Sequence, residues 1–217
     1  MNVVKLFNPR STADILAGYG LPDEAVLKQA LIAGHLAKSG CVANDALQFP
    51  AFLQWNTVQK TLREILLKDG WRRVNEGMYA LVVSPDGKRA IVVASGDEFT
   101  GIEGVQHPTT KCPKGPRTVN AVQQNALLYH GDFFPETLPQ MRDSEIDGRE
   151  TWILLFNTDN GVLRAEISRP GSIGGDGHIN AWQQRVILSE APLSPALDLP
   201  ETPDYAPTED IEITRKQ

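Results

Sequence analysis

The sequence lacks acidic residues over one long internal stretch, although the chain as a whole is acidic. Its 217 residues carry a formal net charge of −6, yet no Asp or Glu lies between Gly104 and Gly131. Within that stretch Lys111, Lys114 and Arg117 lie close together in the segment TTKCPKGPRTVNAVQQN. A local cluster of cations creates its own field even in a protein of negative net charge. The segment is therefore the first place to look for contact with an anionic partner.

Cysteine and histidine are scarce, with two and four residues respectively. Cys41 and Cys112 lie far apart and match no metal or redox spacing, so we expect two free thiols in a reducing bacterial cytoplasm. No nucleophile motif such as G-x-S-x-G is present. The sequence therefore predicts no catalytic residue set, no metal site and no cofactor.

Long apolar runs are also lacking. No stretch reaches the roughly 20 apolar residues needed to span a bilayer. The first residues, MNVVKLFNPRSTAD, have neither the apolar core nor the small-residue cleavage site of a signal peptide. We therefore expect a cytoplasmic protein without a membrane partner, and the sequence leaves its oligomeric state open.

The spacing of apolar residues changes from a helical pattern to a strand pattern after the first third of the sequence. LPDEAVLKQALIAGHLAKSG predicts a helix with Pro22 in the first turn and Gly40 at its end. NTVQKTLREILLKDG predicts a second helix with Asn56 as N-cap and Val58, Leu62 and the residues that follow on one apolar face.

Strand patterns follow Gly70. WRRVN, MYALVV and KRAIVVA predict three strands, the last two joined by the turn SPDG. TWILLFN is apolar on both faces and predicts a central strand, which Asp-Asn-Gly joins to VLRAEIS. We expect PGSIGGDGH to be a glycine-rich loop and INAWQQRVILS to be partly helical and to end as a strand.

These patterns predict an α+β fold in which N-terminal helices pack on a mostly antiparallel sheet built from two hairpins. We expect a single domain over 1–189, with a soft division near 95–150. Residues 190–217 are rich in Pro, Asp and Glu and predict an extended acidic segment. Its DIEIT sequence alternates as an edge strand does.

The order of a helix, DGW and three strands over residues 56–94 is similar to the small α/β unit of HicA-type and double-stranded-RNA-binding modules. The resemblance implies one helix packed on three strands. HicA-type ribonucleases carry a catalytic His on the middle strand, where this sequence has Gly77, Met78 and Tyr79. Because no His lies between 36 and 106, the resemblance does not extend to the ribonuclease chemistry.

The basic segment has features of a phosphate-binding loop. We expect Thr118 to cap a helix, so that Lys111, Lys114 and Arg117 lie where free backbone N–H groups and the positive end of the helix dipole face outward. Gly115 permits close approach of a ligand to the backbone. Amides on the helix, in the run NAVQQN, are of the type that bonds base edges.

A second basic stretch, WRRVNEGMY, places Arg73 beside aromatic residues. Aromatic side chains stack on bases while Arg binds phosphate. The alternative for Trp71 is a place in the core beneath the amphipathic helix, which is the commoner fate of Trp.

Three hypotheses for function follow. The first is a non-enzymatic binding or regulatory protein that contacts nucleic acid, or a protein partner that handles nucleic acid, through Lys111, Lys114, Arg117, Thr118 and Arg73. The second is a metal-dependent hydrolase or nuclease in which Asp97, Glu98 and His130 meet in space. The third is an acidic inhibitor that blocks a partner's nucleic-acid groove.

Overall fold

The computed structural model describes residues 11–76, 79–104, 106–130, 148–159 and 161–192. The helices are α1 (Thr12–Gly18), α2 (Glu24–Ser39), α3 (Phe49–Leu66) and α4 (Pro116–His130), with a 3-10 turn at Leu67–Asp69. The strands are β1 (Arg72–Glu76), β2 (Tyr79–Val83), β3 (Arg89–Ser95), β4 (Glu150–Asp159), β5 (Val162–Ile173), β6 (Ile179–Ile187) and β7 (Ala191–Pro192).

One sheet organises these elements. Strands β1 to β6 lie side by side in chain order, and β7 pairs with β5 beyond the end of β6. All neighbours are antiparallel except β3 and β4, which are parallel. Parallel neighbours need a crossover connection, and α4 lies within it. The predicted α+β fold with a mostly antiparallel sheet and two hairpins is confirmed, and the parallel pair is an addition to it.

Helices cover both faces of the sheet. Leu31 of α2 and Val58 of α3 belong to the same buried cluster as Trp152 of β4, together with residues of α1. On the opposite face, Val122 of α4 packs with Ile153 and neighbouring side chains. The apolar stripe of each helix is thereby buried against the sheet, which is the main source of helix stability in proteins.

Two helix starts differ from the prediction. Helix α3 begins at Phe49, so Asn56 lies in its interior and is not its N-cap. The apolar FPAFLQW segment continues the helical pattern backward, and Pro50 is tolerated because the first turn needs no N–H donor. Helix α2 has Asp23 as N-cap, which places Pro22 just before the helix and not in its first turn.

The C-terminal strands are longer than predicted. Residues 179–187 form β6 over their whole length, and the expected helical part is wrong. Strand β5 continues to Ile173, so the expected glycine-rich loop shortens to the turn at 174–178. Pairing between β5 and β6 determines both differences, because strand formation depends more on neighbours than on local propensity.

Helix α3 is followed by the antiparallel strands β1, β2 and β3, as predicted for this part of the chain. Trp71 at the end of the 3-10 turn is buried in the core and so is not a stacking surface. Gly77 and Met78 lie outside the described residues.

The acidic C-terminal segment is described only as far as β7, where Ala191 and Pro192 pair with Leu163 and Val162. The expected edge strand DIEIT lies outside the described residues. Within the described ranges, no helix has both the length and the apolar character required to cross a membrane.

Candidate functional site

The basic loop is fixed to the sheet by its own backbone. Lys111 donates its backbone N–H to the carbonyl of Ser95 at the end of β3, over 2.9 Å. Lys114 donates to the carbonyl of Gly177 in the β5–β6 turn, over 2.8 Å. The loop therefore has a defined position over the ends of β3 and β6, which a freely solvated loop would not have.

Polar side chains around the loop reinforce this position. The Asp97 carboxylate accepts hydrogen bonds from the backbone N–H and hydroxyl of Thr109, at 2.8 and 2.9 Å, and from the N–H of Phe99. The Trp182 indole donates to the carbonyl of Pro108 over 2.8 Å. The His178 ring contacts the Thr110 carbonyl. The side chains of Asp97, Trp182 and His178 therefore hold the loop in place. Asp97 was one of the residues in the metal-dependent hypothesis.

The loop forms one wall of a cavity of about 360 Å³ at the carboxyl ends of the parallel strands β3 and β4. The opposite wall is the first half of α3, and the end of α2 supplies one further residue. We call this space the lysine cavity; its polar and aromatic lining comprises Lys38, Lys111, Lys114, Cys112, Gln54, Ser95, Asn157, Thr158, Phe52, Trp55 and Phe156.

Aromatic residues of the lysine cavity are held by specific contacts. The Trp55 indole donates to the Val93 carbonyl over 2.9 Å, which fixes the plane of its ring. Phe52 lies beside it with a centroid separation of 5.8 Å. The Gln54 amide donates to the Thr158 hydroxyl over 3.1 Å and links α3 to β4. The cavity thus has a preformed aromatic wall.

Two further cavities adjoin the first. A middle cavity of about 200 Å³ shares Trp55 and Lys114 with the lysine cavity and also includes Thr118 and Tyr79. A third of about 300 Å³, the arginine cavity, shares Tyr79 with the middle one. Its charged lining consists of Arg117, Arg149 and Glu76. The three cavities together are called the cationic tract.

The cationic tract has a strong charge imbalance among its described lining residues. Five cationic side chains line it, and Glu76 is the one carboxylate. That carboxylate lies 3.8 Å from the Arg117 guanidinium and 3.7 Å from that of Arg149, so it serves two cations. Within the described part of the chain, the lysine cavity has no Asp or Glu in its lining.

Lys114 is partly buried at the wall of the lysine cavity. Burial lowers the pKa of its ammonium group, and the nearby Cys112 sulfur opposes this shift in part. Among the described residues it forms no ion pair. A partly buried cation without a counter-charge favours an anion that enters the cavity.

The predicted site residues divide between these positions. Lys111 and Lys114 meet in the lysine cavity, Thr118 lines the middle cavity, and Arg117 lines the arginine cavity. Thr118 is not the N-cap, because α4 already begins at Pro116 and the Thr118 N–H bonds to the Gly115 carbonyl over 3.0 Å. Pro fits the first position of a helix.

The helix amides serve the fold more than a ligand. Asn125 is buried and bonds both backbone groups of Thr151, donating over 2.8 Å and accepting over 2.9 Å. Gln124 donates to the Arg149 carbonyl over 2.9 Å. Asn125 therefore serves the fold, whereas Asn120 and Gln124 also line the arginine cavity, where contact with a base stays a prediction.

Arg73 lies apart from the other predicted residues. It is exposed on the edge strand β1 and is not part of the described lining of the cationic tract. It lies near Arg63, whose pKa is lowered first by burial and then by the charge of Arg73. Any contact that Arg73 makes with a ligand is separate from the tract.

The residues of the metal-dependent hypothesis have other roles or lie beyond description. Asp97 organises the loop, as described above, and the side chain of His130 is not described. Glu98 is exposed in the turn that follows Asp97. In the described ranges, no three His, Cys, Asp or Glu side chains form a group that could hold a metal ion.

Several residues of the tract were missed in the sequence. Lys38 lies beside the predicted helix end at Gly40, and Phe52 and Trp55 precede the predicted helix start at Asn56. Arg149 follows a stretch without periodicity. The sequence signals for them are weak, because the parallel pairing of β3 and β4 is what brings these distant segments together.

No family model, no curated protein and no solved structure matches this chain. The function must therefore be argued from the site itself.

Proposed function

We propose that this protein binds single-stranded nucleic acid along the cationic tract. The observation that carries the proposal is that aromatic and cationic side chains together line three adjoining cavities. Phe52, Trp55 and Tyr79 supply aromatic surfaces, and the five cations line the same cavities. Proteins that bind single strands combine a positive groove for the backbone with aromatic surfaces on which bases stack.

Cavity size favours a single strand over a duplex. The lysine and arginine cavities, of about 360 and 300 Å³, lie at the lower end of the size range of small-molecule sites, and the middle cavity of about 200 Å³ lies below that range. A duplex hides its bases and cannot enter such cavities. Stacking of exposed bases on Trp55 and Phe52 would therefore select the single strand.

The acidic net charge limits the strength of this binding. Five cations and one carboxylate support about 3 to 4 phosphate contacts, which predicts a slope of about −2 to −3 for log affinity against log salt on single strands.

The proposed setting is the bacterial cytoplasm, where Cys41 and Cys112 would stay as the free thiols that they are here.

The test is fluorescence anisotropy with a labelled single-stranded oligonucleotide and the matching duplex, at about 50 mM and about 200 mM salt. We expect the wild type to prefer the single strand and to weaken with salt. The triple variant Lys111→Ala, Lys114→Ala and Arg117→Ala should reduce the salt slope by about 2.

The matched control removes the same charge from exposed positions outside the described lining of the tract, with Lys60, Lys68 and Lys88 changed to Ala. Equal binding by the two triple variants would show that the cationic tract is not the binding site. Lack of binding at low salt would reject nucleic acid as the ligand and direct the search to a protein partner.

A further inference from the structure

The cations of the tract are distributed unevenly, and this unevenness bears on which part of a strand each cavity binds. Three lysines line the lysine cavity, from two separate segments of the chain. Lys38 comes from the end of α2, while Lys111 and Lys114 come from the anchored loop. The arginine cavity has two guanidinium groups, and they share Glu76.

These two charge sets match different phosphate groups. A phosphodiester inside a strand carries one negative charge. A terminal phosphomonoester carries about 1.5 to 2 near neutral pH, because its second pKa is about 6. In the arginine cavity Glu76 already offsets part of the arginine charge. The lysine cavity has three lysines and no carboxylate among its described lining residues, which matches the higher charge of the terminal group.

Burial adds to this preference. The Lys114 ammonium is half-buried, and its desolvation is not offset by an ion pair among the described residues. An anion of high charge compensates a desolvated cation more fully than one of low charge, because the interaction is stronger where water is excluded. The Lys114 site therefore gains most from a doubly charged ligand.

The walls of the cavity accommodate the nucleotide that carries such a phosphate. Trp55 is fixed through its bond to the Val93 carbonyl, and Phe52 lies next to it at 5.8 Å between ring centroids. Both rings line the same space as the lysines. A terminal base stacked on these rings would place its phosphate within the cavity.

We propose that the lysine cavity binds the phosphorylated end of a nucleic-acid single strand, with the terminal phosphomonoester among Lys38, Lys111 and Lys114. This inference rests on the proposed function. The strand would continue past Thr118 to the arginine cavity, where Arg117 and Arg149 contact an internal phosphodiester.

The experiment compares three labelled oligonucleotides of one sequence, with a 5′-phosphate, a 3′-phosphate or no terminal phosphate. We expect one of the two phosphorylated strands to bind at least about tenfold more tightly than the strand without a terminal phosphate, the gain expected from additional charge-assisted contacts. Lys114→Met should abolish this advantage. Arg117→Ala should weaken all three strands by the same factor and keep the advantage.

A second measurement separates the two proposals and controls for misfolding. Thermal unfolding is followed with a nucleoside monophosphate and with the corresponding nucleoside, on wild type and Lys114→Met. We expect stabilisation by the monophosphate alone, and only in the wild type. Equal binding of all three strands would overturn the end-binding inference and leave the proposed function intact. Stabilisation by the monophosphate without binding of any strand would overturn the proposed function and the end-binding inference with it, and so would the lack of a response in both measurements.

Discussion

At the scale of single residues, Lys114 combines a cost in stability with a proposed role in binding. Burial lowers the pKa of its ammonium group below the value in the unfolded chain. The unfolded chain then binds the proton more tightly, so folding stability rises with pH across the interval between the two pKa values. Below that interval, at neutral pH, the cost of the buried charge is present in full.

Replacement of this lysine by an apolar residue should therefore stabilise the protein while it weakens anion binding. We expect Lys114→Met to raise the free energy of unfolding at about pH 7 by about 0.5–2 kcal/mol, and this gain to shrink toward about pH 10. Urea denaturation at the two pH values measures it. Lys111→Met, at an exposed position, is the control and should change stability by less than about 0.5 kcal/mol. A destabilised Lys114→Met protein would contradict the account of burial.

Cys112 offers a direct report on occupancy of the lysine cavity. Its thiol is free, exposed and part of the cavity lining. In a Cys41→Ala protein we expect a nucleoside monophosphate to slow the reaction of Cys112 with a thiol reagent several-fold, since a bound ligand covers the thiol. The rate of thiol modification with and without ligand measures this, and the corresponding nucleoside is the control. Unchanged rates at a ligand concentration that stabilises the protein would place the ligand elsewhere.

At the scale of elements, Asn125 joins α4 to the centre of the sheet. Its side chain satisfies the backbone N–H and carbonyl of Thr151, and both residues are buried. We expect Asn125→Ala to lower the free energy of unfolding by about 2–4 kcal/mol, because two buried backbone groups lose their partner. Gln123→Ala, on a more exposed part of the same helix, should cost less than about 0.5 kcal/mol. Chemical denaturation compares them, and equal costs would contradict this role.

The same scale shows how far the sequence determines the elements. Apolar runs predicted β2, β3 and β4 correctly, since each strand pattern is present in the residues of the strand itself. The start of α3 was predicted too late in the sequence. Asn56 is a residue type that commonly caps helices, but the preceding FPAFLQW segment is itself helical. Residues 179–187 form a strand because they pair with β5, and the local sequence does not indicate this pairing.

The residues of the candidate site were predictable only in part. Lys111, Lys114 and Arg117 were detectable because they cluster in the chain against an acidic background. Lys38 and Trp55 were not detectable, since only the packing of α2 and α3 over the carboxyl ends of β3 and β4 brings them to the same cavity. A local excess of positive charge in the sequence therefore predicts the residues of one wall of the cavity. The residues of the other walls can be identified only once the topology of the fold is known.

At the scale of the whole molecule, the formal charge of −6 opposes the binding of any polyanion. Six of the acidic residues follow Pro192, the last residue that the structure describes: Asp198, Glu201, Asp204, Glu209, Asp210 and Glu212. The described chain ends at Pro192, which pairs with Val162, and Val162 in turn pairs with Asp159 at the end of β4. Adjacent strands are about 4.8 Å apart, so this acidic segment is attached roughly 10 Å from the end of a strand that lines the lysine cavity.

Attachment so near the cavity predicts that these acids oppose ligand binding more than acids elsewhere do. We expect the full-length triple variant Asp198→Asn, Glu201→Gln and Asp204→Asn to bind a phosphorylated single strand several-fold more tightly at about 0.05 M salt, with a smaller gain at about 0.2 M. The control changes Glu64, Asp69 and Glu103 to amides, which alters the net charge equally at exposed sites on the body of the protein. Anisotropy titrations compare the two variants. Equal gains would mean that only net charge matters, whereas a larger gain in the first variant would mean that the acidic segment competes with the ligand for the lysine cavity.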